Sequence, residues 1–276
     1  VSAVRLVLRT APSVLLEAPC VRPDAFAACT QAEIAALPVW HGKDAARLGD
    51  FFDVQGGGSD EVRVTGDVSR VRRLGEGMAG GRLIVEGRAG LHTGSGMRGG
   101  ELRVEGDADD FCGAEMQGGV LEIRGDAGAE LGGAYAGSSR GMSGGVVLVH
   151  GSVGESVGGR MRRGLIAVSG EAGRYAGCHM IAGTVVVLGS VGRGAGLGMK
   201  RGTIVVGGAL ELLPTFRYAC TDAPAFLGVL FRALKAQGFG AERRLESGVF
   251  RRYRGDFTEL GRGEILQWAS EQPTAH

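Results

Sequence analysis

Few side chains in this sequence have the types and spacing to attack a substrate or transfer a group. Cys178 stands beside His179, and Cys112 follows His92 by about one turn of a repeat described below. A thiol with an imidazole in reach is the beginning of a nucleophilic site, but the base needs a third group to orient it. Neither pair has one at a readable spacing, so neither is assigned as catalytic. His41, His92, His150, His179 and His276 form no metal-ligand spacing. There is no G-x-S-x-G and no H-E-x-x-H. Cys20, Cys29, Cys112, Cys178 and Cys220 are odd in number and never form a C-x-x-C pair. They read as inert thiols of a reducing, cytoplasmic compartment. Arg160, Arg162, Arg163 and Arg201 make Arg-rich corners of the repeat. They could hold an anionic ligand or an acidic partner, although an exposed, solvated corner is the preferred reading.

The elements that carry these residues follow from a repeat. All seven methionines, Met78, Met97, Met116, Met142, Met161, Met180 and Met199, occupy one repeat position, spaced by 19 residues except for one gap of 26. Three residues after each comes a glycine, from Gly81 to Gly202, and then a five-residue strand closed by another glycine. The chain continues as G-x-x-G-x-x-x-G, for instance Gly87 to Gly94. The second strand positions are Val62, Leu83, Leu102, Leu121, Val147, Ile166, Val185 and Ile204. The fourth are Val64, Val85, Val104, Ile123, Val149, Val168, Val187 and Val206. Alternation places both sets on one face. Eight strands at a fixed repeat are expected to stack in parallel, roughly 4.8 Å apart, into a rod roughly 35 Å long. This predicts a mainly β protein, a right-handed parallel β-helix with 19-residue rungs. The methionines form an internal ladder and the glycines turn the corners. A dinucleotide reading of the glycines is set aside, because no βαβ unit surrounds them.

The opposite strand face changes along the rod. Arg63, Ile84, Arg103 and Glu122 give way to Leu148, Ala167, Val186 and Val205. Late strands that are apolar on both faces need a cover. The cover is either the segment PAFLGVLFRALKAQ (224–237), with Phe226, Val229, Leu230 and Leu234 at helical spacing, or a partner subunit. Leu148, Val186 and Val205 are therefore candidate partner contacts. So are Tyr135 and Arg140, in the seven-residue insertion 134–140 that accounts for the long gap, since insertions in solenoids often form the binding face. Residues 1–57 and 209–276 are expected to cap a β-helix spanning 58–208.

Composition narrows the alternatives. Of 276 residues, 52 are glycine, against a usual ~7 per cent, while 7 are proline and 44% are hydrophobic. That excludes collagen and argues against disorder. Basic and acidic side chains balance at 31 and 30, so nucleic acid is not an expected partner. No apolar run reaches the ~18 residues of a membrane span.

The glycine repeats resemble the carboxy-terminal β-helix of the large chain of glutamate synthase. They resemble the C subunit of formylmethanofuran dehydrogenase more closely. The flanking segments Ile34-Ala-Ala-Leu-Pro-Val-Trp-His-Gly42, Leu48-Gly-Asp-Phe-Phe-Asp-Val54, Leu213-Pro-Thr-Phe216 and Tyr253-Arg-Gly-Asp256 extend that resemblance over essentially the whole chain. The Ala/Arg/Gly-heavy composition suggests a bacterial version. The resemblance implies a non-catalytic subunit of a formyltransferase/hydrolase complex. Such a complex takes a formyl group from tetrahydromethanopterin through a methanofuran-type carrier to formate. It also implies that the chemistry sits on amidohydrolase-like and formyltransferase partner chains, and that this chain holds no cofactor. Two alternatives stand beside it. One is the C subunit of a molybdenum or tungsten formylmethanofuran dehydrogenase. The other is a stand-alone β-helix enzyme such as a hexapeptide acyltransferase or a polysaccharide lyase. A period of 19 is not a multiple of six, and no Asp cluster suggests a calcium-dependent lyase.

Overall fold

The computed structural model describes residues 3–240, 245 and 248–269. Its strands are β1 (Val4–Leu8), β2 (Leu16–Glu17), β3 (Pro38–His41), β4 (Asp44–Arg47), β5 (Phe52–Gln55), β6 (Glu61–Thr65), β7 (Val71–Arg72), β8 (Arg82–Glu86) and β9 (Glu101–Val104). They continue as β10 (Val120–Ile123), β11 (Val146–Val149), β12 (Leu165–Val168), β13 (Thr184–Val187), β14 (Arg201–Val206), β15 (Arg217–Asp222), β16 (Phe250–Gly255) and β17 (Arg262–Trp268). The helices are α1 (Pro23–Phe26), α2 (Gln31–Ala35), α3 (Leu48–Phe51) and α4 (Ala225–Ala236).

Thirteen strands form one sheet in the order β15-β16-β17-β14-β13-β12-β11-β10-β9-β8-β6-β1-β5. Those from β17 to β1 pair in parallel, and antiparallel strands finish both edges. The expected eight strands are β6 and β8 to β14. The register repeats their spacing: Leu83 pairs with Leu102, Leu102 with Leu121, Val147 with Ile166, and Ile166 with Val185. The long gap is absorbed at one step, where Leu121 pairs with Val147. Two strands extend the parallel run beyond those eight. Val4 in β1 pairs with Val62, and Ile265 in β17 with Ile204.

Equivalent positions outside the strands are joined as well. Single parallel bridges run from Val68 through Ala89, Ala108, Ala127, Val153, Ala172 and Val191 to Leu210. A third line passes through the methionines, where the N–H of Arg98 donates to the Met78 carbonyl, that of Gln117 to Met97, and so on to Lys200 and Met180. Successive repeats are thus hydrogen-bonded along at least three lines, which satisfies backbone groups that burial would otherwise leave unpaired. Side chains add to this at one corner. Asp107 Oδ1 accepts from the Asp126 N–H at 2.9 Å, and Asp126 Oδ1 accepts from the Ser152 N–H at 2.7 Å.

All the inward strand residues, from Val62 to Val206, are fully buried, as are the seven methionines. Each methionine methyl lies where the glycine of the next repeat would carry a Cβ. Met97 Cε, for example, is 2.7 Å from a Cβ built on Gly119. Glycine is needed there both for its left-handed backbone, φ +84°, and for that missing atom.

A second core lies on the other face. Leu148, Ala167, Val186, Val205 and Leu266 are buried beneath Leu227, Phe231 and Leu234 of α4, together with Phe239 and Phe250. The cover is therefore the chain's own helix. The helix is turned from the expected face: Leu227, Phe231 and Leu234 pack, while Phe226 and Val229 remain 43% and 60% exposed. β4, β3, β2 and β7 form a separate small sheet near the amino-terminal end.

Candidate functional site

Among the described residues nine non-glycine residues adopt the left-handed conformation, and all nine fall in two columns of the repeat. Arg73, His92, Phe111, Glu130, Ser156 and Tyr175 share one position. Glu115, Arg160 and His179 share the position four residues later. Such a backbone costs about 1–3 kcal/mol per residue and persists where the surroundings enforce it. Here the enforcement is the stacking: the His92 N–H donates to the Asp110 carbonyl, Phe111 to Ala129, Glu130 to Glu155, and Arg160 to Cys178. The two columns carry varied, chemically capable side chains along one side of the molecule.

The insertion packs onto this side. Tyr135 is half-buried, stacked on Phe111 at a centroid distance of 5.5 Å and tilted against His92 at 5.4 Å. Its hydroxyl lies 3.1 Å from His92 Nδ1. Tyr135 thus faces its own chain instead of projecting as a free anchor. Arg140 is exposed and makes no ion pair among the described residues. Between the insertion and the next repeats lies a cleft of about 320 Å³, lined by Phe111, Glu130, Tyr135, Arg160, Cys178 and His179 among others.

The electrostatics of the cleft argue against a thiolate. Burial pushes the Cys178 thiol up, the Glu130 charge adds to that, and Ser156 and Arg160 oppose it without reversing it. Burial also raises the Glu130 carboxyl, against a hydrogen bond from Ser156 and the charge of Arg160. No hydrogen bond joins Cys178 to His179 among the described residues; the imidazole lies against the backbone of Gly198. The other candidate pair is no closer to chemistry. Cys112 is fully buried, its thiol donates to the Asp109 carbonyl at 3.1 Å, and burial pushes its pKa up to about 12. Its partner His92 is held by Phe111 and Tyr135.

The remaining histidines are dispersed. His41 meets Ser13 and the Phe51 ring, His150 sits 2.9 Å from Glu122 Oε1, and His276 lies outside the described residues. No group of three His, Cys, Asp or Glu side chains among the described residues is placed to hold a metal ion. No helix among them is long and apolar enough to cross a membrane.

Leu148, Val186 and Val205 are at most 1% exposed under α4, so they present no free surface. Their apolar character, which suggested a partner, is explained by the intramolecular helix. The expected arginine group divides in two. Arg160 enters the insertion cleft, whereas Arg162, Arg163 and Arg201 line a different cleft of about 380 Å³ with Lys200. The left-handed columns were not foreseen, because their residue types have nothing in common except the backbone they share.

No protein-family model matches the chain. A chain of the crystal structure of the formyltransferase/hydrolase complex from Methylorubrum extorquens, determined in complex with methylofuran, superposes with a TM-score of 0.91 at 37% identity. The match covers 96% of this chain and 99% of that one. The C subunit of the molybdenum-containing formylmethanofuran dehydrogenase 1 of Methanosarcina barkeri is 42% identical over 93 residues, 32% of this chain and 31% of the relative. The C subunit of the tungsten-containing formylmethanofuran dehydrogenase 2 of Methanothermobacter thermautotrophicus is 40% identical over 97 residues, 33% and 36% of the two chains. The matched segment thus spans about a third of the length of these curated relatives. The chain is thus of the same class as a chain of that formyltransferase/hydrolase complex, which it matches over nearly its whole length. Within that class it belongs to the family of the formylmethanofuran dehydrogenase C subunit, which includes its counterpart in the formyltransferase/hydrolase complex.

Proposed function

We propose that this chain is the non-catalytic C subunit of a cytoplasmic formyltransferase/hydrolase complex. The complex converts formyl-tetrahydromethanopterin to formate through a methanofuran-type carrier. The observation that carries this reading is the near full-length likeness to a chain of such a complex. The chemistry is supplied by amidohydrolase-like and formyltransferase partner chains. The chain serves them as a rigid right-handed β-helix of 19-residue rungs over residues 58–208, capped by 1–57 and 209–276. The three lines of hydrogen bonds between repeats support the coil, and the parallel crossovers support its hand. The insertion with its exposed Arg140, and the free side of α4 with Phe226 and Val229, are the partner-facing surfaces of this scaffold.

The curated relatives favour a second reading, a molybdenum- or tungsten-dependent dehydrogenase complex. One preparation separates the two. The complex is isolated through a tag on this chain, assayed for formate release from formyl-tetrahydromethanopterin, and analysed for metals. Formate release without molybdenum or tungsten is expected. Stoichiometric molybdenum or tungsten would favour the dehydrogenase.

A further inference from the structure

We propose that the corner formed by Arg162, Arg163, Lys200, Arg201 and Arg262 docks an acidic, extended segment of another chain in the complex. This rests on the subunit reading above. The repeat puts these cations in register. Leu165 pairs with Thr184 and Thr184 with Thr203, so Arg163, Ala182 and Arg201, each two residues earlier, lie in one column. β14 pairs with β17 so that Arg201 stands directly opposite Arg262. At about 4.8 Å per layer, the backbones of Arg163 and Arg201 are about 10 Å apart, with Ala182 between them. Arg162, Ile181 and Lys200 repeat the arrangement one residue earlier. All five cations are exposed.

Two features argue that stability did not select this corner. Like charges directly opposite on neighbouring strands are destabilising. Four of the five cations also lack counter-charges among the described residues. Lys200 Nζ lies 3.8 Å from Glu259, and among the described residues the four arginines make no ion pair and no side-chain hydrogen bond. In the earlier repeats of the same sheet the strand arginines are paired: Arg63 with Glu61 and Glu86, Arg82 with Glu101, Arg103 with Glu105, and Arg124 with Glu122. The column is also specific to the late repeats, since Gly80, Gly99, Gly118 and Gly144 hold the position of Arg163 in the earlier ones.

The cleft of about 380 Å³ at this corner is lined by Ile181 and Ala182, which lie in register between the cations, and by Leu260, 54% exposed. It fits carboxylates that flank an apolar side chain along a strand-like segment. Guanidinium groups suit such a partner because they bind carboxylates through two parallel hydrogen bonds.

The test uses the native complex isolated through this chain. Carbodiimide couples a lysine amine directly to a touching carboxylate. Cross-linking followed by peptide mass spectrometry is expected to join Lys200 to an Asp or Glu of another chain. Arg163→Glu/Arg201→Glu is expected to weaken assembly at least tenfold at physiological salt with an unchanged circular dichroism spectrum, while Arg163→Lys/Arg201→Lys, which keeps the charge and loses the paired hydrogen bonds, weakens it less. An intact complex in which Lys200 joins only Glu259, with undiminished assembly of the charge-reversed chain, overturns the proposal while leaving the subunit reading in place. So does a small anion that native mass spectrometry finds on the parent chain and that the charge reversal releases. A parent chain that co-purifies with no other chain sinks the subunit reading, and this proposal with it.

Discussion

The Tyr135 hydroxyl lies 3.1 Å from His92 Nδ1, so the insertion is tied to a repeat 43 residues earlier. Phe111 stacks between the same two layers, with centroids 5.3 Å from His92 and 5.5 Å from Tyr135. The insertion is thereby an ordered part of the side that carries the left-handed columns. A double-mutant cycle of Tyr135→Phe and His92→Gln should show coupling, and Tyr135→Phe alone should cost about 0.5–1.5 kcal/mol in denaturant unfolding. Additive effects would mean that the contact contributes nothing.

The surroundings of His92 predict a pH dependence. Burial, followed by the charges of Arg73 and Arg72, lowers the His92 pKa below its ordinary 6.5. The unfolded chain then binds the proton more readily, so this contribution to stability is present above pH 6.5 and declines as pH falls toward the lower, folded value. Unfolding followed between about pH 7.5 and 5 should show a steeper loss for the parent than for His92→Gln. Parallel curves would contradict the assignment.

The methionine ladder makes a sharper prediction at Met161 and Gly183. A Cβ on Gly183 would meet Met161 Cε at 3.0 Å and Sδ at 3.1 Å, at a backbone φ of +109°. Met161→Ala should cost about 2–5 kcal/mol through its cavity. Gly183→Ala should also destabilise. In the double variant the clash disappears and the backbone strain remains, so the loss should be smaller than the sum. Strict additivity, read from thermal unfolding, would show that the two residues do not share that space.

Helix α4 should be separable from the inner core. Phe231→Ala removes a ring that is 1% exposed above Leu148, Val186 and Val205 and should cost about 3–5 kcal/mol. Phe226→Ser and Val229→Ser should leave stability within about 0.5 kcal/mol. If the serine variants lower the midpoint as far as Phe231→Ala does, the helix packs by its other face.

Cys178 and His179 lie in a cleft without forming a nucleophile and base. The isolated chain should therefore neither hydrolyse nor transfer formyl groups. Cys178→Ala and His179→Ala, each assembled in the complex, should keep turnover within about twofold of the parent. Turnover by the isolated chain that either substitution abolishes would reveal a site at this cleft.

Much of this architecture is legible because stacking forces residues of one kind into one position. Eight strands, the methionine ladder and the insertion follow from periodicity alone. β1 and β17 are illegible by that route, because they join at Val4–Val62 and Ile204–Ile265, off the 19-residue spacing. The packing face of α4 is ambiguous in sequence, since Phe226, Val229 and Leu230 follow helical spacing as well as Leu227, Phe231 and Leu234 do. Sequence cannot show that Arg160 and Arg162, on either side of Met161, open into different clefts. The left-handed columns are invisible for a deeper reason: Arg, His, Phe, Glu, Ser and Tyr are tolerated there through contacts between repeats and not through any shared side-chain chemistry.

Whether this chain is a scaffold within a larger enzyme is read most directly by native mass spectrometry of the assembly recovered through a tag on its chromosomal copy. One stable heteromer, containing this chain with distinct partner chains, is expected. A chain lacking 134–140, with an unchanged circular dichroism spectrum, should enter that heteromer less completely. Recovery of the chain alone, or only with copies of itself, would contradict its assignment as a subunit.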